Sequence, residues 1–251
     1  MATSHRWTEI SPNPNDPRVI RQRQAALDAT RRPPIASRLA YLRELARDKD
    51  VLDVGVVEHF LDNERNDQWL HRNLVEVART CRGVDILEDE VTALRAKGFD
   101  VVVHDMTVGP LDEQFDVVVL GEVIEHLGAP QSFLANLGAM LRPGGVLVLS
   151  TPNPYMLNRA WHSLRGRFHD SVDHALLLGP SSIAELAGRV GLEVVAWRGV
   201  RLKDLPGWRN RVVSVGRRVL VTAGFADELS CDTLIYELSP AAVARSAEPA
   251  A

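Results

Sequence analysis

The chain has 251 residues, of which 45% are hydrophobic and 25% charged, and a formal net charge of −4. That composition is globular and large enough for one sizeable core, and its balance gives no footing for wholesale binding to nucleic acid or membrane. Two cysteines, Cys81 and Cys231, make no disulfide framework and fit a reducing cytoplasm.

No apolar run reaches membrane-spanning length, and the start, with His5, Arg6 and Trp7, lacks a signal-peptide core. Residues 1–18, with Pro12, Pro14 and Pro17, read as an irregular arm. Val19 to Arg31 reads as a basic helix stopped by Pro33 and Pro34. Ile35 to Arg47 reads as an amphipathic helix, with Ile35, Leu39, Leu42 and Ala46 on one side. Val51 to Val54 is a short apolar run holding one carboxylate, Asp53, with Gly55 directly after it. Such a run suits a strand covered on both faces, and the glycine lets the backbone turn tightly where open α/β sheets bind ligands.

An acidic excursion follows, carrying Glu58, Asp62, Glu64 and Asp67. The next expected elements are a helix from Gln68 to Arg79, a strand from Cys81 to Ile86 with Asp85 near its end, and a helix from Asp89 to Lys97 closed by Gly98. A strand from Phe99 to His104 runs into Asp105 and Met106. The strand Phe115 to Leu120 ends at Gly121 and Glu122. A helix from Pro130 to Leu141 stops at the turn Arg142-Pro143-Gly144-Gly145, and Val146 to Ser150 is a fifth strand. Strand and helix thus alternate over residues 51–150, the pattern of a parallel sheet with right-handed crossovers.

Beyond Thr151-Pro152-Asn153-Pro154, residues 155–168 read as a basic helix, 169–174 as a polar loop, and Ile183 to Val190 as a helix with Ser182 and Glu185 offering a capping box. Leu192 to Trp197 and Cys231 to Leu238 are strands. Between them, residues 198–218 hold seven Arg or Lys against one Asp. The organisation expected is an arm and helix over 1–34, a single domain over 35–238 with a lid or acceptor-facing insert at about 152–180, and a flexible tail over 239–251.

A nucleotide cofactor on such a sheet needs a carboxylate at the end of the second strand for its ribose hydroxyls, and Asp85 is placed for that. The Gly-x-Gly-x-x-Gly fingerprint of nicotinamide cofactors is absent, which disfavours a pyrophosphate-bearing ligand and a nicotinamide-dependent oxidoreductase. Four segments together resemble the class I S-adenosylmethionine methyltransferases. They are Asp53-Val54-Gly55, Asp85, Asp105, and the paired runs Phe115-Asp116 through Glu122-Val123-Ile124-Glu125-His126 and Leu141-Arg142-Pro143-Gly144-Gly145. The likeness spans residues 50–200 and is strongest to small-molecule enzymes such as quinone and sugar O-methyltransferases. It departs at Val57 and His59, where the family's first motif has glycines.

The resemblance implies an α/β, Rossmann-like, seven-stranded and mostly parallel sheet with helices on both faces and a final antiparallel strand. It implies S-adenosylmethionine as cofactor, with Asp53 and Gly55 at its methionine part, Asp85 at the ribose, Asp105 and Met106 at the adenine, and Gly121 and Glu122 beside the transferred methyl. The expected reaction moves that methyl to a hydroxyl of a small molecule or sugar. N- or C-methylation, or a non-catalytic cofactor-binding protein with an eroded glycine loop, stays open. A hydroxyl acceptor calls for a base, and His126 and His174 are the favoured candidates, ahead of His162 and His169. Asn153 could hold an acceptor hydroxyl, Trp161 and Trp208 could stack on a ring, and the basic stretch could attract an anionic acceptor. No cluster has trusted metal-site spacing, so no required metal is expected. No nucleic-acid or membrane partner is expected, and a homodimer stays open.

Overall fold

In a computed structural model, residues 7–57, 67–168, 171–201 and 208–241 are described, the side chains of 208–214 excepted. Most of the acidic excursion (58–66), His59, His169, the Trp208 side chain and most of the expected tail (242–251) lie outside the described residues.

Seven strands form one sheet: β1 (Asp50–Val54), β2 (Thr80–Asp85), β3 (Val101–Val103), β4 (Phe115–Gly121), β5 (Leu141–Pro152), β6 (Leu192–Arg201) and β7 (Cys231–Pro240). Their order is β3-β2-β1-β4-β5-β7-β6, with every pair from β3 to β5 parallel and β7 antiparallel to both its neighbours. The helices are α1 (Pro17–Thr30), α2 (Arg38–Ala46), α3 (Leu70–Val75), α4 (Glu88–Ala96), α5 (Pro130–Ala139), α6 (Leu157–Leu164), α7 (Pro180–Arg189) and α8 (Trp208–Thr222).

Alternation along the strands builds two cores. Leu52, Val118, Leu120, Leu147, Leu149 and Tyr236 face α5 and α7, packing on Leu134, Leu137 and Ile183. Val51, Val117, Val119, Val148 and Ile235 face the other way, onto Leu42 and Ala46 of α2 and Leu74 of α3. Strands apolar at every position are therefore strands with two covered faces.

Several boundaries differ from expectation for local reasons. The first helix begins at Pro17 because Asp16 caps it, accepting the Arg18 N–H at 2.8 Å. The helix near 183 starts at Pro180 with Gly179 as its cap, so Ser182 is not the cap. Glu185 instead reaches Arg23 of α1 at 2.7 Å and Arg189 at 3.0 Å. Arg142 to Gly145 is not a free turn but an irregular start to β5, where a Cβ on Gly145 would meet carbonyl oxygens of Phe115, Asp116 and Arg142 at 3.0–3.1 Å. The N-terminal helix is tied to the far edge of the sheet: Trp197 Nε1 donates to the Leu27 carbonyl at 2.8 Å, and Arg31 pairs with Glu228.

At the N-terminal ends of the central strands, Asp50 accepts hydrogen bonds from Arg79 (2.8 Å), Arg142 (2.5 Å) and Thr80 (2.8 Å). The Arg79 and Arg142 guanidiniums hold the Asp50 carboxyl well below the usual carboxylate range. A depressed folded-state pKa stabilises the fold above the unfolded value of about 3.9, and that contribution is lost as the pH falls through the folded value. Asp50→Asn is therefore expected to flatten the decline of melting temperature below about pH 4. Melting curves from pH 6 to pH 2 check this, and parallel declines in variant and wild type would refute it.

Candidate active site

In this sheet order the strand sequence reverses between β1 and β4, and ligands of open α/β sheets sit at such a switch point beyond the strands' C-terminal ends. A cavity of about 760 Å³ opens there, within the size range of small-molecule sites. Asp53, Gly55 and Val57 line it from the end of β1, and Gly121, Glu122 and Val123 from the end of β4. Arg38, Gln68, Leu70, His71, His126, Asp232 and Thr233 close other sides.

Asp53 is the floor. It is 2% exposed, and its Oδ2 lies 3.0 Å from Nδ1 of the fully buried His71. Gly55 turns the chain with φ at +82°, a conformation that side chains resist, and a Cβ there would sit 2.6 Å from Val123 Cγ2. The two cavity walls therefore meet at Gly55 with no room for a methyl group.

Val57 occupies a position where the resembled motif has glycine, and the backbone there needs no positive φ. Its N–H donates to Asp85 Oδ2 at 2.8 Å, and its side chain packs against the small core cluster that includes Val56, Trp69 and Val91. Asp85 also accepts the N–H groups of Ile86 (2.8 Å) and Leu87 (3.2 Å). Asp85 thus ties Val57, just after β1, to the end of β2.

At the β4 end, Glu122 has φ at +57°, a strained value for a side-chain-bearing residue. The strain is held by its neighbours. Its N–H donates to the Ser150 carbonyl at 3.0 Å, its carboxylate accepts the Thr233 hydroxyl at 3.0 Å, and Arg38 lies 3.4 Å away. Burial pushes the nearby Asp232 carboxyl up, and the Glu122 charge adds to this. The wall opposite Asp53 is thus acidic, with Arg38 as its counter-charge.

A 3-10 turn, Ile124–His126, carries the next two residues outward. His126 borders the cavity, its Nδ1 lying 3.2 Å from the Asp173 carbonyl and 3.3 Å from the Asp173 carboxylate. Both partners are acceptors, so Nδ1 carries a hydrogen. The Glu125 carbonyl accepts the N–H groups of Ala175 (2.8 Å) and Leu176 (3.0 Å), which docks the segment carrying His174. The His126 and His174 rings lie 4.9 Å apart, edge to face. The Glu125 side chain is 1% exposed, and burial pushes its carboxyl up against the opposing pull of its own N–H.

Of the residues singled out in the sequence, Asp53, Gly55, Gly121, Glu122 and His126 line this cavity. Asp85, Asp105, Met106 and His174 stand outside its described lining. Asp105 is exposed after β3, with an oxygen accepting the Thr107 N–H at 2.8 Å. Met106 is buried in the main core, and its carbonyl accepts from Asn136 at 2.7 Å. Asn153 does not face an acceptor. Its carboxamide is consumed inside the fold by the carbonyls of Glu228 (2.8 Å) and Cys231 (2.9 Å) and by the Tyr155 N–H (3.0 Å). Trp161 is half-exposed under the Arg165 guanidinium. Arg38, His71, Asp232 and Thr233 escaped sequence reading. They come from elements far apart in the chain, and only the apolar spacing of α2 gave any local hint.

A family profile described as "Methyltransferase domain" matches residues 22–196. A probable S-adenosylmethionine-dependent methyltransferase of Mycolicibacterium smegmatis is 33% identical over 130 residues, covering 51% of this chain and 49% of that protein. The chain therefore spans about half the length of that relative. A ubiquinone biosynthesis O-methyltransferase of Bordetella avium is 26% identical over 185 residues, covering 67% of this chain and 73% of that protein. The magnesium protoporphyrin IX methyltransferase of Synechocystis, solved with S-adenosylhomocysteine bound, has a TM-score of 0.52 at 13% identity, covering 88% of this chain and 84% of that one, which is a likeness of fold. With the profile covering well over half of the residues, the chain belongs to the class I S-adenosylmethionine-dependent methyltransferase family.

Proposed function

We propose that this chain transfers a methyl group from S-adenosylmethionine to a hydroxyl of a small molecule. The observation that carries the reading is the cavity at the switch point, walled by Asp53 and Gly55 on one strand end and by Gly121 and Glu122 on the other, with His126 at its edge. S-adenosylmethionine supplies an electrophilic methyl on a sulfonium. Gly55 and Gly121 give it backbone-close walls, since a Cβ at either would meet a side-chain carbon at 3.0 Å or less. The acidic wall of Glu122 and Asp232 suits the ligand's positive charge.

Methyl transfer is an in-line displacement, so its main demand is alignment, with a base where the acceptor is a hydroxyl. His126 meets that demand, because Asp173 holds its Nδ1–H and leaves Nε2 to take the acceptor's proton. The ubiquinone biosynthesis O-methyltransferase relative supports an oxygen acceptor.

Incubation with methyl-labelled S-adenosylmethionine and a panel of phenols, catechols, sugars and amines tests the reading. Label on a hydroxyl compound, lost in His126→Ala while cofactor binding persists, is the expected result. Label on amines alone would replace the hydroxyl reading with N-methylation. Binding with no transfer to any acceptor would favour a non-catalytic role.

A further inference from the structure

Glu125, His126 and His174 each offer a donor atom, and the three donors lie within 4.8 Å of one another. The sequence separates the first two from the third, so their convergence comes from the docking of residues 175 and 176 on the Glu125 carbonyl. The Glu125 side chain is 1% exposed, and neither of its carboxylate oxygens has a hydrogen-bond partner of normal geometry. A buried carboxyl left in that state costs free energy unless something else satisfies it. His126 already shows the outer contact that metal-bound imidazoles have: its Nδ1–H is held by the Asp173 carbonyl and carboxylate, which orients Nε2.

We propose that Glu125, His126 and His174 form a divalent metal site at the acceptor end of the cavity, one that takes a first-row transition ion such as Zn²⁺ or Co²⁺. Two imidazoles and one carboxylate suit those ions better than Mg²⁺ or Ca²⁺, which favour oxygen-only shells. Metal–ligand bonds of roughly 2.0–2.2 Å place neighbouring donors about 3.0–3.6 Å apart, so capture draws the donors inward by about 1 Å. Three protein ligands leave positions open toward the cavity that His126 borders. An acceptor hydroxyl bound there loses its proton to solvent more readily, so the ion takes over the base role that the proposed function gives to His126. This use of the ion rests on the methyl-transfer reading; the site itself does not. The proposal departs from the expectation of no required metal drawn from residue spacing.

The test uses the full chain, treated with chelator and titrated with Co²⁺, then Zn²⁺ and Mg²⁺, while S-adenosylhomocysteine binding is measured in parallel by calorimetry. The expected result is uptake of about one equivalent of Co²⁺ with visible d–d absorption that Zn²⁺ displaces. Glu125→Gln, nearly isosteric, and His174→Ala should each weaken uptake at least about tenfold, and Asp173→Asn by about tenfold through His126, with cofactor affinity kept in all three. Absence of Co²⁺ and Zn²⁺ uptake by a chain that binds S-adenosylhomocysteine would overturn the site and leave the proposed function standing. Uptake unchanged in both ligand variants, or a preference for Mg²⁺, would also overturn it. Metal uptake without cofactor binding would keep the site and remove the proposed function.

Discussion

Asp85→Ala is expected to weaken S-adenosylhomocysteine binding about a hundredfold, close to 2.7 kcal/mol, and to lower stability by roughly 1–3 kcal/mol. Two separate losses combine. The carboxylate tethers the loop after β1 through the Val57 N–H and caps the end of β2 through Ile86 and Leu87. It is also the acidic residue at the second strand's end, and the proposed ribose contact is taken to be there. Asp85→Asn separates the two in part. Its one carbonyl oxygen can keep the Ile86 and Leu87 N–H groups on Oδ1 or the Val57 N–H on Oδ2 but not both, so melting should fall by less than in the alanine variant. A ribose diol, however, donates two hydroxyl hydrogens to a carboxylate, and an amide cannot take both. Asn should therefore bind S-adenosylhomocysteine at least about tenfold more weakly. Calorimetry on both variants reads this, and wild-type affinity in Asp85→Asn would leave Asp85 as a loop tether alone.

The second large effect is at Gly55. Alanine there must adopt φ near +82° and place a Cβ 2.6 Å from Val123 Cγ2. The left-handed conformation costs about 1–2 kcal/mol, and the overlap with a stiff β-branched side chain about 1–3 more. For a domain of this size the sum lowers the melting temperature by roughly 5–15 °C. The damage also travels, because Val123 stands between strained Glu122 and the turn that carries Glu125 and His126. The double variant Gly55→Ala with Val123→Ala removes the overlap but not the φ cost. It should recover more than half of the loss relative to Val123→Ala alone. Simple additivity in the thermal denaturation cycle would show that the clash is relieved elsewhere.

The order of strands and helices was readable in the sequence because both faces of the central strands are covered, so their apolar runs are unbroken and short. Asp53, Gly55, Gly121 and Glu122 were readable for a related reason: a carboxylate or glycine directly after such a run must stand at a strand's end. The rest of the site obeys no local rule. Arg38 and Thr233 flank Glu122 from opposite ends of the chain, and only tertiary packing joins them. His71 sits in a helix six residues long, too short to show periodicity, and its meaning is its bond to Asp53. The Glu125, His126 and His174 convergence was invisible as a ligand pattern because 48 positions separate the two histidines. The capping box expected at Ser182 failed because Pro180 offered an earlier helix start, and Glu185 found Arg23 instead.

The antiparallel β7 lies between β5 and β6, and among the described residues β6 has no other strand neighbour. During synthesis β6 must therefore wait for residues 231–240 before it can join the sheet. The N-terminal segment waits too, since Arg31 and Ile35 bridge to Trp197 and Val200 of that strand. Asp232 and Thr233, which wall the cavity, arrive in the same step. The floor at Asp53 and Gly55 needs only β1, β2 and β4, so the half of the cavity nearest those residues can form on the ribosome before the side walled by Asp232 and Thr233. Cofactor present during translation would thus meet a partly assembled receptor, and could act as a template on which the late strands close.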